Sequence, residues 1–194
     1  MRDYIRLTGV LLIICVIAAG VLGVTNAITY EKIAEQLAKE SDMARKAVLP
    51  DASEFKKLDE SEVGEIFGKS DYDIVDEIFE GTSGGQLTGY TVKAVPKGYG
   101  GSVEIIIGID TTGVVRGVKV GENSETPGLG KNATKPKFQE QYTGKDWDEG
   151  VVLIKNGIPK DNEVLSIAGA TVTSNAVTSG VNTALDLVKE LLEK

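Results

Sequence analysis

The chain of 194 residues contains no histidine and only one cysteine, Cys15. These absences exclude disulfide frameworks, zinc sites of the Cys-His type, Ser-His-Asp triads and any imidazole general base. They make hydrolytic chemistry a poor interpretation, and no metal site or catalytic residue is predicted. If the protein takes part in redox chemistry, a bound cofactor must carry the electrons, because the remaining polar side chains cannot.

Basic residues are also in the minority. The chain has 21 Lys and Arg against 29 Asp and Glu, which gives a formal net charge of -8. An acidic protein repels phosphate backbones rather than attracting them, so we expect no nucleic-acid partner.

A long uncharged run, from Leu7 to Tyr30, dominates the amino-terminal region. As a helix, residues 7–28 would extend roughly 33 Å, about the thickness of a hydrocarbon core. The sequence therefore predicts a cytoplasmic amino terminus and one transmembrane helix over residues 1–29. A buried core helix and a cleaved signal peptide are the alternatives, but the run is longer than an ordinary signal core. Cys15 is interpreted as an apolar filler of this helix.

The basic residues on the two sides of this predicted span nearly balance, so their count does not decide its orientation. Arg2 and Arg6 precede the apolar run, and Lys32, Lys39, Arg45 and Lys46 follow it. Long carboxy-terminal regions cross membranes largely regardless of their charge. We therefore expect a single-pass protein of the cell membrane, with the carboxy-terminal domain outside the cytoplasm.

The remainder of the chain divides into a stalk and one domain. Residues 30–70 are predicted to form a helical stalk and linker, because Ile33, Leu37, Ala44 and Val48 recur at helical spacing before Pro50. Residues 71–194 are predicted to form a single α+β domain with antiparallel strands and flanking helices.

The predicted strands of this domain are short runs rich in Val and Ile between glycine clusters. Asp110-Thr111-Thr112-Gly113 is typical of a hairpin loop between two of them. A short helix over residues 137–142 and a further strand over residues 151–155, ending at Asn156-Gly157, are expected next. A terminal amphipathic helix is predicted from apolar residues at steps of three and four, which are Val177, Val181, Leu185, Val188 and Leu192.

The entry to that terminal helix, residues 166–174, is the first candidate site. Its small residues would let the backbone approach a ligand, and the free N–H groups of a helix start favour an anion such as phosphate. The same segment has a simpler interpretation, in which Thr171, Thr173 or Ser174 caps the helix. Local features alone favour the cap.

Two glycine-containing segments are further candidates, although neither is specific alone. In residues 122–131, Pro127-Gly128 suits a tight turn and Gly130 leaves the backbone unshielded. The segment Gly98-Tyr99-Gly100-Gly101 falls between two predicted strands, where a flexible turn is the common interpretation.

Taken together, these segments carry a family resemblance. The order of Gly-Tyr-Gly-Gly, Glu125-Thr-Pro-Gly-Leu-Gly130 and Ala168-Gly-Ala-Thr171 resembles the FMN-binding G subunit of the Rnf electron-transport complex. The chain is more distantly similar to the C subunit of the sodium-pumping NADH:quinone oxidoreductase. The resemblance covers nearly the whole chain.

The resemblance implies a membrane-bound electron relay, not a stand-alone catalyst, that couples ferredoxin and NAD redox chemistry to ion movement. It implies FMN joined through its phosphate to Thr171, and the remaining predicted cofactor-binding residues are Gly169, Ala170, Thr173, Ser174, Glu125, Thr126, Gly128, Leu129, Gly100 and Gly101. Thr126 and Leu129 are expected to contact the flavin. Ala168 stands where the family motif has Ser or Thr.

The expected partners are the other membrane proteins of an Rnf-type complex and, during maturation, a flavin transferase that uses FAD as donor. Two alternatives remain open from the sequence. One is a membrane-anchored binding or scaffold domain without flavin, in which the Gly-Ala-Thr segment only caps a helix. The other is a related flavin domain that serves a regulator or a different oxidoreductase.

Overall fold

The computed structural model describes residues 2–59, 63 and 72–193. The chain forms two compact units, Met1–Met43 and Ala44–Lys194. The predicted limit between linker and domain, at residues 70 and 71, lies outside the described residues.

The amino-terminal helix α1 runs from Arg2 to Val48 and ends shortly before Pro50. It contains both the predicted span and the predicted stalk helix without interruption. The apolar side chains between Leu7 and Ile28 are exposed rather than packed into a core. The helix is long and apolar enough to cross a membrane, and its uncovered apolar surface is what such a segment presents to lipid.

A five-stranded antiparallel sheet forms the centre of the second unit. Its strands lie in chain order and comprise β1 (Glu54–Lys57), β2 (Val75–Ser83), β3 (Gln86–Ala94), β4 (Val103–Asp110) and β5 (Val115–Asn123). Each strand pairs antiparallel with its neighbour. The predicted antiparallel strands and the α+β class are confirmed.

The predicted hairpin loop between β4 and β5 is also present. The Asp110 carboxylate accepts hydrogen bonds from the backbone N–H of Thr112 at 2.8 Å and from the Thr112 hydroxyl at 2.6 Å. Gly113 takes a left-handed conformation with φ +83°. An Asp that binds the backbone two residues on, followed by glycine, is a common way to reverse a chain.

Helical segments and two short strands follow the sheet. The 3-10 helix Gly130–Thr134, helix α2 (Pro136–Gln139) and the 3-10 helix Glu140–Tyr142 occupy the region where one short helix was expected. Strand β6 (Val152–Ile154) pairs in parallel with β7 (Glu163–Leu165). Strands β1 and β7, which have only four and three residues, were not predicted from the sequence.

The carboxy-terminal helix α3 runs from Thr171 to Leu192. Val177, Val181, Leu185 and Val188 are buried, as their spacing predicted. Gly180 brings α3 so near to β4 that a Cβ at this position would overlap the side chain of Ile105. The hydrophobic core therefore lies between this face of the sheet and α3.

Candidate functional site

The three glycine-containing segments singled out in the sequence converge around one cavity. Its volume is about 450 Å³, within the range of roughly 300–1,000 Å³ typical of small-molecule sites. It lies at the amino-terminal end of α3 and is lined by Tyr99, Glu125, Thr126, Leu129, Gly130, Gly169, Ala170, Thr171, Val172 and Thr173.

Helix α3 begins without a side-chain cap. Ala170 is the N-cap residue, and no side chain donates or accepts a capping hydrogen bond there. The hypothesis that Thr171, Thr173 or Ser174 serves as the cap is therefore wrong. Helix starts leave their first N–H groups without helical partners, and the structure gives the N–H groups of residues 171–173 no partner among the residues it describes.

The three hydroxyl residues at this helix start have different environments. Thr173 is buried and donates to Glu125 Oε2 at 2.6 Å. Ser174 is fully buried; its Oγ donates to the carbonyl of Ala170 at 3.0 Å and accepts from the N–H of Ile167 at 3.0 Å. Thr171 is only partly buried and lines the cavity, and its hydroxyl has no hydrogen bond to any residue in the described ranges.

The loop before α3 approaches the cavity through glycine. Gly169 has φ +73°, and a Cβ built on it would lie 3.1 Å from the Leu129 Cδ2 atom. A β-carbon is strained in this left-handed conformation, so glycine suits the position. The turn is closed by the N–H of Ala170, which donates to the carbonyl of Ile167 at 2.9 Å. Ala168, where the family motif has a hydroxyl, is exposed.

Residues 125–130 form a compact turn that is the second wall of the cavity. The carbonyl of Thr126 accepts from the N–H groups of Leu129 at 3.1 Å and Lys131 at 3.2 Å. Gly128, with φ +80°, makes the bend possible. The turn leaves Leu129 44% exposed beside the cavity.

The Gly-Tyr-Gly-Gly turn between β3 and β4 is the third wall. It is closed by the N–H of Gly98, which donates to the carbonyl of Gly101 at 2.8 Å. Tyr99 is 77% exposed and lines the cavity, as does the half-exposed Val172. Together with Leu129 these side chains form an apolar rim.

The structure brings most of the predicted site residues together, although not all of them line the cavity. Seven do so, namely Glu125, Thr126, Leu129, Gly169, Ala170, Thr171 and Thr173. Gly100, Gly101, Gly128 and Ser174 lie in the segments that build the walls but are not among the lining residues. Tyr99, Gly130 and Val172 also line the cavity; they lie in the three candidate segments but were not among the predicted cofactor-binding residues.

Comparison with known proteins places this site in a family. Residues 98–186, which contain all three walls, match the family described as FMN-binding domain. The chain is 37% identical over 188 residues to the G subunit of the Na⁺-translocating ferredoxin:NAD⁺ oxidoreductase complex of Acetobacterium woodii, covering 94% of this chain and 90% of that protein. It is 30% identical to the G subunit of the proton-translocating ferredoxin:NAD⁺ oxidoreductase complex of Clostridium ljungdahlii, covering 92% and 88%.

Solved structures show the same fold. The crystal structure of Shewanella oneidensis NqrC matches with a TM-score of 0.61 at 19% identity, over 80% of this chain and 99% of that one. The C subunit of the Na⁺-translocating NADH-quinone reductase from Parabacteroides distasonis matches with a TM-score of 0.56 at 22% identity, over 74% and 79%. On the strength of the relatives that align over nearly their whole length, the chain belongs to the G-subunit family of ion-translocating ferredoxin:NAD⁺ oxidoreductase (Rnf) complexes.

Proposed function

We propose that this protein is the electron-relay component of a membrane-bound ferredoxin:NAD⁺ oxidoreductase complex that moves ions, and that it carries FMN joined to Thr171 by a phosphoester. One observation carries the proposal. The Thr171 hydroxyl is the one hydroxyl at the start of α3 that the protein does not use internally among its described residues, and it lines the cavity.

The residues around the cavity fit a phosphorylated ring compound. The N–H groups of Thr171, Val172 and Thr173 are donors at a helix start, where the helix dipole stabilises negative charge. The apolar rim of Tyr99, Leu129 and Val172 offers contact area for a flat ring. When bound there, FMN would supply the reversible electron chemistry that the side chains of this chain lack.

The chain's own residues hold and shield the cofactor in this proposal. Thr171 is the tether, and the helix start stabilises the phosphate charge. Thr126 and Leu129 exclude water from one side of the cavity, and Tyr99 and Val172 do so at its rim. Gly169 and Gly128 allow the two loops to come close to the site, because both adopt left-handed backbone conformations.

Attachment requires a separate enzyme, because the cavity lacks the groups that would activate a hydroxyl. Among the described lining residues there is no lysine, and the Glu125 carboxylate already accepts three hydrogen bonds from the protein. We propose a flavin transferase with FAD as donor. The Thr171 oxygen forms the new bond to the phosphorus of the FMN half, the phosphoanhydride bond breaks, AMP leaves and the hydroxyl proton passes to the transferase or solvent.

The proposed role as an electron relay in a membrane complex also requires a membrane arrangement. We propose that α1 spans the membrane once with its amino terminus in the cytoplasm, and that the FMN-bearing domain lies outside among the other membrane proteins of the complex. A covalent tether is useful there, since a dissociated cofactor would be diluted and lost. The proposed place in a complex is supported by the relatives, which are named as subunits of a complex and align over about nine-tenths of this chain.

The test measures the intact mass of the full-length protein, produced with a flavin transferase and then denatured, and locates any added mass by peptide mapping. Wild type is expected to carry one added FMN phosphoester on the peptide that contains Thr171. Thr171→Ala should carry none, whereas Thr171→Ser, which keeps a hydroxyl, should remain modified.

Thr111→Ala is the matched control, because Thr111 is an exposed threonine at the tip of the β4–β5 hairpin and does not line the cavity. It should be modified as fully as wild type. Flavin that stays bound to denatured Thr171→Ala, or a wild-type peptide that weighs only as much as its amino acids, would disprove the tether.

A further inference from the structure

Glu125 is the one carboxylate that is buried among the residues the structure describes, with 4% of its surface exposed. Carboxylates are rarely buried unless they are paired with a cation or fully hydrogen-bonded. No Lys or Arg of the described chain forms an ion pair with it. Its negative charge therefore lies beside the cavity without a neutralising side chain.

The hydrogen bonds of Glu125 join three separate parts of the site. Its Oε1 atom accepts from the backbone N–H of Tyr99 at 2.8 Å and of Gly100 at 2.9 Å. Its Oε2 atom accepts from the Thr173 hydroxyl at 2.6 Å. One side chain thus connects the turn after β3 with the first turn of α3, and it does so from the loop that forms the wall between them.

Two glycines enclose this carboxylate. A Cβ at Gly98 would overlap Oε1, and a Cβ at Gly130 would overlap Oε2 and crowd the Thr173 hydroxyl. The carboxylate therefore lies against both glycines, in space that a β-carbon at either position would take. Its oxygens are committed to protein donors rather than offered to a ligand.

We infer that Glu125 is a positioning residue: it holds the Tyr99–Gly100 turn against the start of α3, and its fixed negative charge makes electron uptake in the neighbouring cavity less favourable. The first half depends only on the contacts above. The second half rests on the proposed function, since it requires a redox group in the cavity. An added electron is repelled by a nearby negative charge, and this repulsion is strong where water is excluded.

Two substitutions at Glu125 separate the effect of its negative charge from the effect of its side-chain length. Glu125→Gln keeps the side-chain length and an oxygen that accepts from both N–H groups, but removes the charge. Glu125→Asp keeps the charge and shortens the side chain by one methylene, so it cannot reach all three donors. Both are made in full-length protein, produced with a flavin transferase and purified in detergent, beside wild type.

Two measurements are made on each protein. In hydrogen–deuterium exchange of the Tyr99 and Gly100 amides, Glu125→Asp should exchange about tenfold faster or more, since hydrogen bonds to charged groups contribute about 1.5–3 kcal/mol. Glu125→Gln should remain nearer to wild type. In a redox titration of the attached flavin, Glu125→Gln should shift the midpoint potential to more positive values. Glu125→Asp keeps the charge, so its midpoint potential should be closer to that of wild type than to that of Glu125→Gln.

Each contrary result has a defined meaning. Wild-type exchange rates in Glu125→Asp would overturn the positioning role. An unchanged or more negative potential in Glu125→Gln would overturn the charge effect, as would a folded Glu125→Gln protein without flavin, because glutamine keeps the positioning bonds. A wild-type protein without attached flavin would refute the proposed function and with it the charge effect, while the exchange measurement would still decide the positioning role.

Discussion

At the scale of single residues, three neighbouring hydroxyl groups are given different roles by helical geometry. Each residue of a helix is rotated by about 100° from the one before it, so Thr171, Thr173 and Ser174 point in different directions. Thr173 is turned toward Glu125 and Ser174 toward the loop that precedes the helix. Of these three residues, Thr171 is the one left on the cavity side, and its hydroxyl is therefore the one available for the proposed phosphoester.

Asp146 is a second residue whose contacts lead to a prediction, and it lies outside the site. Its Oδ1 atom accepts from the Asn162 side chain at 3.2 Å and from the N–H of Asp148 at 3.0 Å. These hydrogen bonds, that to Asn162 first, lower the pKa of Asp146 below its ordinary value of 3.8. A lowered pKa in the folded state stabilises the fold above the ordinary pKa, and this stabilisation is lost as the pH falls through the lowered value.

We therefore expect Asp146→Ala to lower the midpoint of thermal unfolding at pH 7, measured by circular dichroism of the full-length protein in detergent. The difference from wild type should begin to narrow below the ordinary pKa of 3.8 and should disappear as the pH falls through the lowered pKa of Asp146, where the carboxylate of the folded wild-type protein also becomes protonated. Asp148→Ala is the control, because Asp148 is exposed and its side chain makes no hydrogen bond within the described ranges. Equal midpoints for Asp146→Ala and wild type at pH 7 would contradict the expectation.

At the scale of elements, a pair of glycines allows the chain to cross close to the sheet. Gly108 in β4 and Gly117 in β5 are paired in register. A Cβ at Gly108 would overlap the backbone of Val48, and one at Gly117 would lie 3.0 Å from the Val48 Cα atom. Val48 and Leu49 therefore cover one face of the sheet, while Ile105 packs against α3 on the other.

Gly108→Ala should destabilise the fold by about 1–3 kcal/mol, because the added methyl group meets backbone atoms that cannot move without displacing the strand or the segment at residues 48–49. Chemical denaturation of the full-length protein in detergent measures the change. Gly121→Ala in β5 is the matched control, since its Cβ would meet only the flexible Glu104 carboxylate. A Gly108→Ala protein as stable as Gly121→Ala would show that this close approach is not needed.

The elements that the sequence predicted are those with enough residues to show a period. Strands β2 to β5 each have eight or nine residues with apolar side chains on the core face, and α3 repeats apolar residues along its 22 residues. Strand β1 offers only Phe55 among charged residues, and β7 has three residues. Their pairing depends on partners distant in the chain, which no local pattern reports.

The site was predictable in the same limited way. The glycine turns and the helix entry were identified from the sequence, because positive φ values and small residues leave local signals. The inward orientation of Glu125 was not, since its partners lie 25, 26 and 48 residues away in the chain. Tyr99 and Val172 were missed for a related reason, because only the assembled walls place an exposed apolar side chain at the rim.

At the scale of the whole molecule, the contrast between the two units indicates different surroundings. In the unit Met1–Met43, large apolar side chains such as Leu11, Ile14 and Leu22 are each more than half exposed. In the unit Ala44–Lys194 most large apolar side chains are buried between the sheet and α3. Apolar surface on this scale is unfavourable in water, so the first unit matches a lipid environment and the second an aqueous one.

The proposed orientation can be tested with single-cysteine variants, because the chain has only one native cysteine to remove, Cys15. In a Cys15→Ala background, one cysteine is placed at Ile158, which is 88% exposed in the second unit, or at Tyr4, which is 77% exposed near the amino terminus. If the carboxy-terminal domain lies outside the cytoplasm, a membrane-impermeant maleimide added to intact cells should label Ile158→Cys and leave Tyr4→Cys unmodified. Inverted membrane vesicles should give the opposite pattern, and detergent should expose both positions. Labelling of Tyr4→Cys in intact cells with protection of Ile158→Cys would reverse the proposed topology and place the proposed flavin site in the cytoplasm. Loss of a dissociated flavin to the surroundings would then no longer explain the proposed tether at Thr171.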